Sequence, residues 1–305
     1  MRPILLVAAA CYRAVYKLHH SICLRPGKAL EHARFIVIGS FLAGGAGKTP
    51  FTAWLAQFIL ENAHSATTDT GKESATKEYT APRIAILCHS KAADEAKMLR
   101  QKFSGSPNVK VFATSNRYRT AHELDSEYDY IICDDGFEDS RLAGAYTIRL
   151  DWTNPPTGIG ELMPVGKCRS LVQDHKEPAL KFQCGLDIQF HIERIENIRG
   201  AALDPKTSAN AVVVCGIGNP KRFRDDLADF GVPFAKFIVR PDHDVNFKQT
   251  IEELVSQKTP IIITEKDAAR LPYDQLANSE IFIAYQQVNV SDAAKSKIRQ
   301  AIMQA

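Results

Sequence analysis

The chain has 305 residues, of which 45% are apolar and 24% are charged, so it is long enough for one large or two ordinary globular domains. Its net charge of +3 is too small to indicate a nucleic-acid-binding protein, and no basic stretch is interleaved with aromatic residues as in single-strand binders. The seven cysteines include no Cys-x-x-Cys pair, which argues against a disulfide framework or a zinc site and favours the reducing cytoplasm.

The first 25 residues predict an amphipathic segment that lies on a membrane surface. The apolar run over residues 4–11 resembles a short signal peptide, but it is too short to span a bilayer. Residues 1–40 contain six lysines and arginines and a single acidic residue, a charge that an anionic membrane would attract. The alternative is a helix with a basic edge that packs on the protein's own core.

A glycine-rich loop follows, between a predicted strand at residues 35–38 and a predicted helix at residues 51–60. Its residues are Gly44, Gly45, Ala46, Gly47, Lys48 and Thr49. Glycines let successive backbone N–H groups surround phosphate oxygens, Lys48 reaches the terminal phosphates, and the Thr49 hydroxyl can bind Mg²⁺. The strict phosphate-loop spacing would require glycine in place of Leu42, and an ordinary glycine-rich turn is the alternative. The context predicts a nucleoside triphosphate site.

Apolar runs then alternate with helical patterns, which indicates a parallel α/β sheet covered on both faces. The predicted strands are 83–88, 109–112, 128–133 and 146–150. Residues 61–80 are polar and small, and they predict an exposed loop after the first helix.

A Pro/Gly-rich stretch at residues 154–160 predicts a domain boundary, after which a second α/β series follows. Its predicted strands lie near 211–216, 234–239, 260–264 and 281–285, and its helices near 220–230, 247–257 and 291–304. We therefore predict a membrane-associating segment at 1–25, a P-loop domain at 26–152 and a second α/β domain at 153–305. Both domains are expected to be Rossmann-like, the first with the parallel sheet of P-loop NTPases.

The sequence Asp134-Asp135-Gly136 directly follows the predicted strand that ends at Cys133. Carboxylates at the carboxyl end of a strand lie in the crevice where open α/β sheets bind ligands. One of them can hold Mg²⁺, directly or through water, opposite Thr49. The alternative is an ordinary Asp-Asp-Gly turn.

Six blocks of the chain match one known family in content and order. They are residues 38–50, 134–137, 162–166, 216–220, 241–243 and 264–267. On these blocks the chain resembles the tetraacyldisaccharide 4'-kinases of lipid A synthesis, whose own phosphate loop has the same G-G-x-G-K-T form. The resemblance implies ATP- and Mg²⁺-dependent phosphorylation of the 4'-hydroxyl of a tetraacyldisaccharide 1-phosphate. It also implies a lipid disaccharide and a membrane surface as partners, at the cytoplasmic face of the bacterial inner membrane.

The resemblance also implies roles for individual residues. Ala93-Asp94-Glu95 resembles the family's Gly-Asp-Glu-Pro block, so Asp94 would be the catalytic base and Glu95 a second acid near the metal. His243 would orient Asp94, and Lys48 would act on the transferred phosphate. Without the resemblance, Asp94 would pass as part of the charged first turn of a solvated helix, and His243 as part of a capped turn.

The departures from the family lie on the acceptor side. The family's Arg-Gly-Tyr-Gly segment is replaced by Cys88-His89-Ser90-Lys91, and its Gln-His pair after Asp-Asp-Gly-Phe is Glu138-Asp139 here. Arg169 is kept and would bind an anionic headgroup or phosphate, with a surface salt bridge as the alternative. The alternative functions are a P-loop kinase or ATPase with another acceptor, and a non-catalytic nucleotide-binding relative.

Overall fold

The structure, a computed structural model, describes residues 2–23, 27–62, 81–142, 144–204, 208–242, 244, 246–277 and 280–303. The chain forms two compact units, Met1–Gln189 together with Val290–Ala305, and Phe190–Asn289. One sheet has six strands and the other has five. The predicted α/β class is confirmed. Most of the polar loop predicted at 61–80 lies outside the described residues.

The first unit contains the six-stranded sheet. Its strands are β1 (Arg34–Gly39), β2 (Ile84–His89), β3 (Val109–Thr114), β4 (Tyr130–Cys133), β5 (Tyr146–Asp151) and β6 (Leu180–Gln183). Its helices are α1 (Arg2–Cys23), α2 (Lys48–Asn62), α3 (Ala93–Lys102), α4 (Arg117–Leu124) and, after the second unit, α9 (Asp292–Ile298). The strand order is β3-β2-β4-β1-β5-β6, and neighbouring strands are parallel.

The central strands are buried along their length, because helices cover both faces of a parallel sheet. In β1, the residues from Phe35 to Gly39 are all buried, and Ile131 and Ile132 of β4 have no exposed surface. Helix α2 packs on the sheet through Phe51, Leu55 and Ile59. This burial explains why continuous apolar runs predicted the strands correctly.

The topology brings three chain segments to one edge of the sheet. The glycine-rich loop leaves the carboxyl end of β1, the Asp134-Asp135 turn leaves β4, and the start of α3 follows β2. These three strands are neighbours in the order β2-β4-β1. In open parallel sheets this edge forms the ligand crevice.

The second unit contains the five-stranded sheet, in the order β7-β11-β10-β8-β9. Its strands are β7 (Ile188–Glu196), β8 (Val212–Cys215), β9 (Lys236–Val239), β10 (Ile261–Thr264) and β11 (Ile281–Val290). Its helices include α5 (Pro220–Asp229), α6 (Phe247–Ser256), α7 (Glu265–Arg270) and α8 (Tyr273–Leu276). Two apolar clusters, one around Phe247 and Ile263 and the other around Phe223 and Ile262, form its core.

The boundaries between the two units differ from the predicted boundary at 152/153, because they lie at 189/190 and 289/290. The Pro/Gly-rich stretch is followed by β6, which pairs in parallel with β5 and extends the first sheet. The chain also returns to the first unit at its C-terminal end, where the Arg299 guanidinium lies 5.1 Å from the Phe58 ring centroid and donates to the Asn62 side chain. The stretch at 154–160 is therefore a loop within the first unit, with a composition similar to that of a linker.

Gly39 ends β1 at a point where the chain leaves no room for a side chain. A Cβ atom on Gly39 would lie 2.0 Å from the Cβ and 3.1 Å from the Cα of Phe137. We expect Gly39→Ala to lower the free energy of unfolding by about 2 kcal/mol, because the Phe137 turn must move to relieve the overlap. Urea unfolding measures this change.

Gly105 provides the matched control, because a Cβ there would have no atom within 4 Å. Gly105→Ala should leave stability unchanged or raise it slightly, since alanine restricts the unfolded chain. Equal stabilities of the two variants would contradict the steric argument.

Candidate functional site

The glycine-rich loop turns sharply between β1 and α2. Gly45 and Gly47 have φ angles of 70° and 77°, in the left-handed region that glycine adopts without steric cost. Helix α2 begins at Lys48, and the Phe51 N–H donates to the Gly47 carbonyl at 3.0 Å. On the other side of the loop, the Trp152 indole N–H donates to the Ala46 carbonyl at 3.1 Å. The loop therefore places a helix N-terminus beside glycine-rich backbone, as phosphate binding requires.

Asp134, directly after β4, is hydrogen-bonded to the first turns of α2. The hydroxyl groups of Thr49 and Thr52 each donate to one of its carboxylate oxygens at 2.8 Å. Asp134 is buried, and burial raises the pKa of its carboxyl above the ordinary value, while the bonds from the two threonines act in the opposite direction. The hydroxyl–carboxylate contact fixes the loop against the neighbouring strand.

Asp135 lies between two cationic side chains. Its carboxylate is 3.3 Å from Lys48 Nζ and accepts from Arg169 Nη1 at 3.0 Å. Burial raises the pKa of this carboxyl, but the charges of Lys48 and Arg169 outweigh burial and hold the pKa below its ordinary value. Its φ of 54° is in the left-handed region, which aspartate adopts more readily than most residues. Asp135 is therefore a charged group that holds both cations at the loop.

Arg169 reaches the loop because its segment runs beside residues 41–43. The Ala43 N–H donates to the Lys167 carbonyl at 3.0 Å, and the Arg169 N–H donates to the Phe41 carbonyl at 2.9 Å. The guanidinium also donates to the Ala43 carbonyl at 2.9 Å. Arg169 therefore belongs to the cluster around the phosphate loop, while its contact with a substrate phosphate stays a prediction.

Arg117 is a residue of this site that no sequence pattern indicated. It is the first residue of α4, and its buried guanidinium donates to the carbonyl groups of Asp134 and Asp135 at 2.9 and 2.8 Å. These two bonds hold the turn in which Asp135 has its positive φ. The sequence offers one signal that could have indicated Arg117. It directly follows Asn116, which caps the N-terminus of α4 just after the carboxyl end of β3.

Asp94 and Glu95 lie in the first turn of α3, at the same edge of the sheet. Asp94 is buried, and its Oδ1 accepts from the Glu95 N–H at 3.1 Å. The carboxyl end of β2 is one strand from β4 and two strands from β1, which corresponds to roughly 5 and 10 Å at the usual strand spacing. Burial raises the pKa of the Cys88 thiol at the end of β2, and the charges of Asp134 and Glu95 act in the same direction.

His243, the predicted partner of Asp94, lies outside the described residues. In the second unit, the block that includes Thr264 and Asp267 forms a charged network. Asp267 is fully buried and accepts from the Gly216 N–H at 3.2 Å and from the Thr264 hydroxyl at 2.7 Å. Arg270 donates to the Asp242 carboxylate at 2.8 Å, so this network fixes the residue before His243 in the chain.

The oxygen atoms of Thr49 and Asp134 fit a Mg²⁺ ion. Two adjacent ligands of an octahedral Mg²⁺ are about 2.9 Å apart when each is about 2.1 Å from the ion. The Thr49 hydroxyl and the Asp134 carboxylate are neighbours, 2.8 Å apart in a hydrogen bond, and both are oxygen ligands of the kind that Mg²⁺ prefers. Over the described ranges, no three His, Cys, Asp or Glu residues are grouped so as to hold a metal ion. Mg²⁺ sites with one or two carboxylates and substrate phosphates need no such group.

Helix α1 packs on the first unit along one face. Ala9 is fully buried in an apolar cluster with Phe41, Leu162 and Leu171. Two basic residues, Arg13 and Lys17, pair with Asp174 at 2.8 and 3.1 Å. The alternative that α1 packs on the protein's own core is therefore correct for this face.

The opposite face of α1 presents an apolar stripe, which we define as Ile4, Val7, Val15, Leu18 and Ile22. Successive members of the stripe are three, eight, three and four residues apart, close to whole turns of 3.6 residues, so they lie on one side of the helix. Their exposed fractions lie between 61% and 73%. Among the helices of the described residues, none combines the length and the apolar character that crossing a membrane requires.

The two residues that replace the family's Gln-His pair have partners in this chain. Asp139 accepts two bonds from the Arg141 guanidinium at 2.8 and 2.7 Å. Glu138 accepts from the Ser170 hydroxyl at 2.8 Å and from the Tyr16 hydroxyl. Both departures are therefore accommodated by hydrogen bonds within the first unit.

Comparisons with known proteins identify the family of the chain. The sequence model of the family described as Tetraacyldisaccharide-1-P 4'-kinase matches residues 1–305. The tetraacyldisaccharide 4'-kinase of Chlamydia trachomatis is 26% identical over 295 residues, with 87% of this chain and 79% of the relative covered. The enzyme of the same name from Chlamydia abortus is 28% identical over 266 residues, with 77% and 72% covered.

A solved structure is similar in fold. It is the crystal structure described as the "apo" form of LpxK from Aquifex aeolicus in complex with ATP. The TM-score is 0.64, the sequence identity is 17%, and 99% of each chain is covered. The likeness shows a shared fold over the length of both chains.

Replacement of Arg117 by methionine tests the support of the Asp134-Asp135 turn. We expect Arg117→Met to lower the free energy of unfolding by about 2 kcal/mol, because two buried carbonyl groups lose a charged donor. Nucleotide binding should weaken as well, since the turn positions Asp135 beside Lys48. Urea unfolding and nucleotide titration measure the two effects.

Arg119, two residues later on the same helix, is the matched control. Its side chain is 76% exposed and pairs with Glu123 one turn along the helix. Arg119→Met should change stability by less than about 0.5 kcal/mol. If Arg117→Met were as stable as this control, the supporting role of Arg117 would be wrong.

Proposed function

Because the chain belongs to the tetraacyldisaccharide-1-P 4'-kinase family, and is an ATP-dependent kinase of lipid A synthesis, we propose that the cluster at the glycine-rich loop carries out its reaction. The membership confirms the resemblance that the six sequence blocks indicated. The observation that carries the proposal is that Lys48 forms an ion pair with Asp135 and that the Thr49 hydroxyl donates to Asp134. The reaction is transfer of the γ-phosphoryl group of ATP to the 4'-hydroxyl of a tetraacyldisaccharide 1-phosphate.

The nucleotide is held by the loop itself. The backbone N–H groups from Gly44 to Thr49 and the N-terminus of α2 bind phosphate oxygens, and Lys48 reaches the terminal phosphates. Asp135 keeps Lys48 and Arg169 close to the loop before the nucleotide arrives. This order of events avoids a large rearrangement of charge during the reaction.

Thr49 and Asp134 would hold the Mg²⁺ ion, with Asp135 and Glu95 as the other predicted acidic residues near it. When bound, the ion supplies positive charge that neutralises the phosphate oxygens. Asp134 has its two oxygens directed at α2, so it presents a fixed carboxylate at the place where the ion is expected.

We assign proton transfer to Asp94. The 4'-hydroxyl oxygen forms a bond to the γ-phosphorus, the bond between that phosphorus and the β,γ-bridging oxygen breaks, and ADP leaves. The hydroxyl proton passes to the Asp94 carboxylate. The position of Asp94 in the first turn of α3 supports this role, because a helix N-terminus stabilises a carboxylate that must stay charged until it accepts the proton. His243 would orient Asp94, a role that rests on the resemblance alone.

We propose that α1 lies on the cytoplasmic face of the inner membrane with its apolar stripe in the lipid. The stripe exposes five large apolar residues on one side of a helix whose other side is packed on the protein. Exposed apolar surface of this kind indicates an interaction site. A lipid disaccharide, held in the membrane by its acyl chains, requires an enzyme that works at that surface.

The catalytic assignment is tested with labelled γ-phosphate of ATP and tetraacyldisaccharide 1-phosphate in detergent micelles. We expect Asp94→Asn to reduce transfer by about 10²- to 10⁴-fold while ATP still binds, because a general base contributes about that factor. Lys48→Ala should reduce both transfer and ATP binding.

Lys102→Ala, at the exposed C-terminal end of α3, is the control and should behave as the wild type. If a folded wild-type protein bound ATP and transferred no phosphate to this lipid, the proposed acceptor would be wrong.

The membrane assignment is tested by sedimentation with vesicles of phosphatidylethanolamine and phosphatidylglycerol. We expect the double variant Val7→Asn/Val15→Asn to reduce the bound fraction about ten-fold, because two apolar side chains no longer enter the lipid. Leu186→Asn is the matched control, since Leu186 is 75% exposed and lies outside α1. Equal sedimentation of the double variant and the wild type would show that the stripe does not bind lipid.

A further inference from the structure

We infer that α1 positions the Asp135–Arg169 pair of the phosphate site, and that Tyr16 and Glu138 are the positioning residues. The inference rests on the proposed function, since it concerns the residues that hold Lys48 for phosphoryl transfer. It adds to α1 a role in the chemistry beyond membrane binding. The observations that carry it are hydrogen bonds and packing contacts within the first unit.

Hydrogen bonds and ion pairs join α1 to two short segments of the chain. One is residues 135–138, which begins with Asp135 and ends with Glu138. The other is residues 169–175, which begins with Arg169 and includes Asp174, the partner of Arg13 at 2.8 Å. Each segment therefore has one end at the phosphate loop and the other end at α1.

Glu138 connects the two segments to each other and to the helix. One of its carboxylate oxygens accepts from the Ser170 hydroxyl at 2.8 Å, and the other accepts from the Tyr16 hydroxyl. His175 Nε2 is 2.7 Å from the Ser170 oxygen and 3.2 Å from the Tyr16 oxygen. Arg169 directly precedes Ser170, and its ion-pair partner Asp135 lies three residues before Glu138.

The surroundings of this cluster limit its freedom to move. Ser170 is buried, and the Phe137 ring stacks on His175 with centroids 4.4 Å apart. Phe137 also meets Phe41, which precedes the glycine-rich loop, edge to face with centroids 5.3 Å apart. Packed interiors transmit displacement because they contain little empty volume. A shift of α1 would therefore be passed to the residues on both sides of the loop.

The chemistry of Glu138 supports a positioning role. The Glu138 side chain is only 19% exposed, so its carboxylate needs donors within the protein, and one of the two, the Tyr16 hydroxyl, comes from α1. Loss of the Tyr16 hydroxyl leaves one oxygen without that donor, so the carboxylate would turn toward water and move the 135–138 turn. Asp135 would then hold Lys48 and Arg169 less closely.

The test compares Tyr16→Phe, Glu138→Ala, the double variant and Glu138→Gln as full-length proteins. ATP affinity is measured by tryptophan fluorescence, since the Trp152 indole bonds to the Ala46 carbonyl in the loop. Kinase assays in micelles give kcat and the KM for lipid. We expect each single variant to lower ATP affinity and kcat about five-fold, with little change in the lipid KM.

The double variant should be no worse than the poorer single variant, because both changes break the same link. Glu138→Gln should stay within about two-fold of the wild type, since hydroxyl groups both donate to and accept from an amide. Val15→Asn, next to Tyr16 but in the exposed stripe, is the matched control. It should weaken vesicle binding and leave ATP affinity, which is measured without lipid, unchanged.

Additive effects in the double variant would overturn the inference, as would a loss of vesicle binding with normal ATP affinity. The inference would also be overturned if the loss of activity across the variants paralleled their loss of stability in urea, and Glu138→Gln lost as much activity as Glu138→Ala. The ATP measurement needs no lipid. If the wild type fails to phosphorylate the lipid while Tyr16→Phe still weakens ATP binding, the proposed acceptor is wrong and the positioning role stands.

Discussion

The site depends on two adjacent carboxylates at the end of β4. Neighbouring negative charges with little access to water are unfavourable unless each has its own partners. Asp134 finds two hydroxyl groups on α2, and Asp135 finds the cationic groups of Lys48 and Arg169. These partners come from two parts of the chain, the start of α2 and the segment that contains Arg169. The need to satisfy both carboxylates therefore sets the relative positions of the loop, the first helix turns and the segment that contains Arg169.

Helix α1 combines two requirements that usually belong to different helices. Its inner face makes ion pairs and hydrogen bonds that tie it to the first unit, while its outer face exposes an apolar stripe. A helix with apolar residues all around would need a membrane interior or a protein core, and one with a polar outer face would be an ordinary surface helix. The arrangement in α1 agrees with the proposed contact of its outer face with lipid.

The sequence predicted the parts of the structure that depend on neighbouring residues. Continuous apolar runs indicated the buried strands, and residues 44–49 with Asp134-Asp135 indicated a candidate nucleotide site whose parts lie together in the structure. Arg117, Trp152 and the Glu138 link were not predicted, because each joins positions far apart in the chain and none repeats with a period. The predicted boundary at 152/153 differs from the division of the chain in the structure, because a loop rich in proline and glycine has the composition of a linker. Composition also gives no sign that β6, beyond this loop, pairs with β5.

The chain leaves the first unit before residue 190 and returns to it at residue 290. The returning segment buries Ala294, Ile298 and Ile302, and Arg299 bonds to the end of α2. The unit with the candidate nucleotide site is therefore assembled from residues on both sides of the second unit in the chain, and the second unit has the topology of an insertion. The segment from residue 290 can therefore join the first unit only after residues 190–289 have been synthesised. A shortened gene for the nucleotide-binding part would have to join the two pieces through a designed connection.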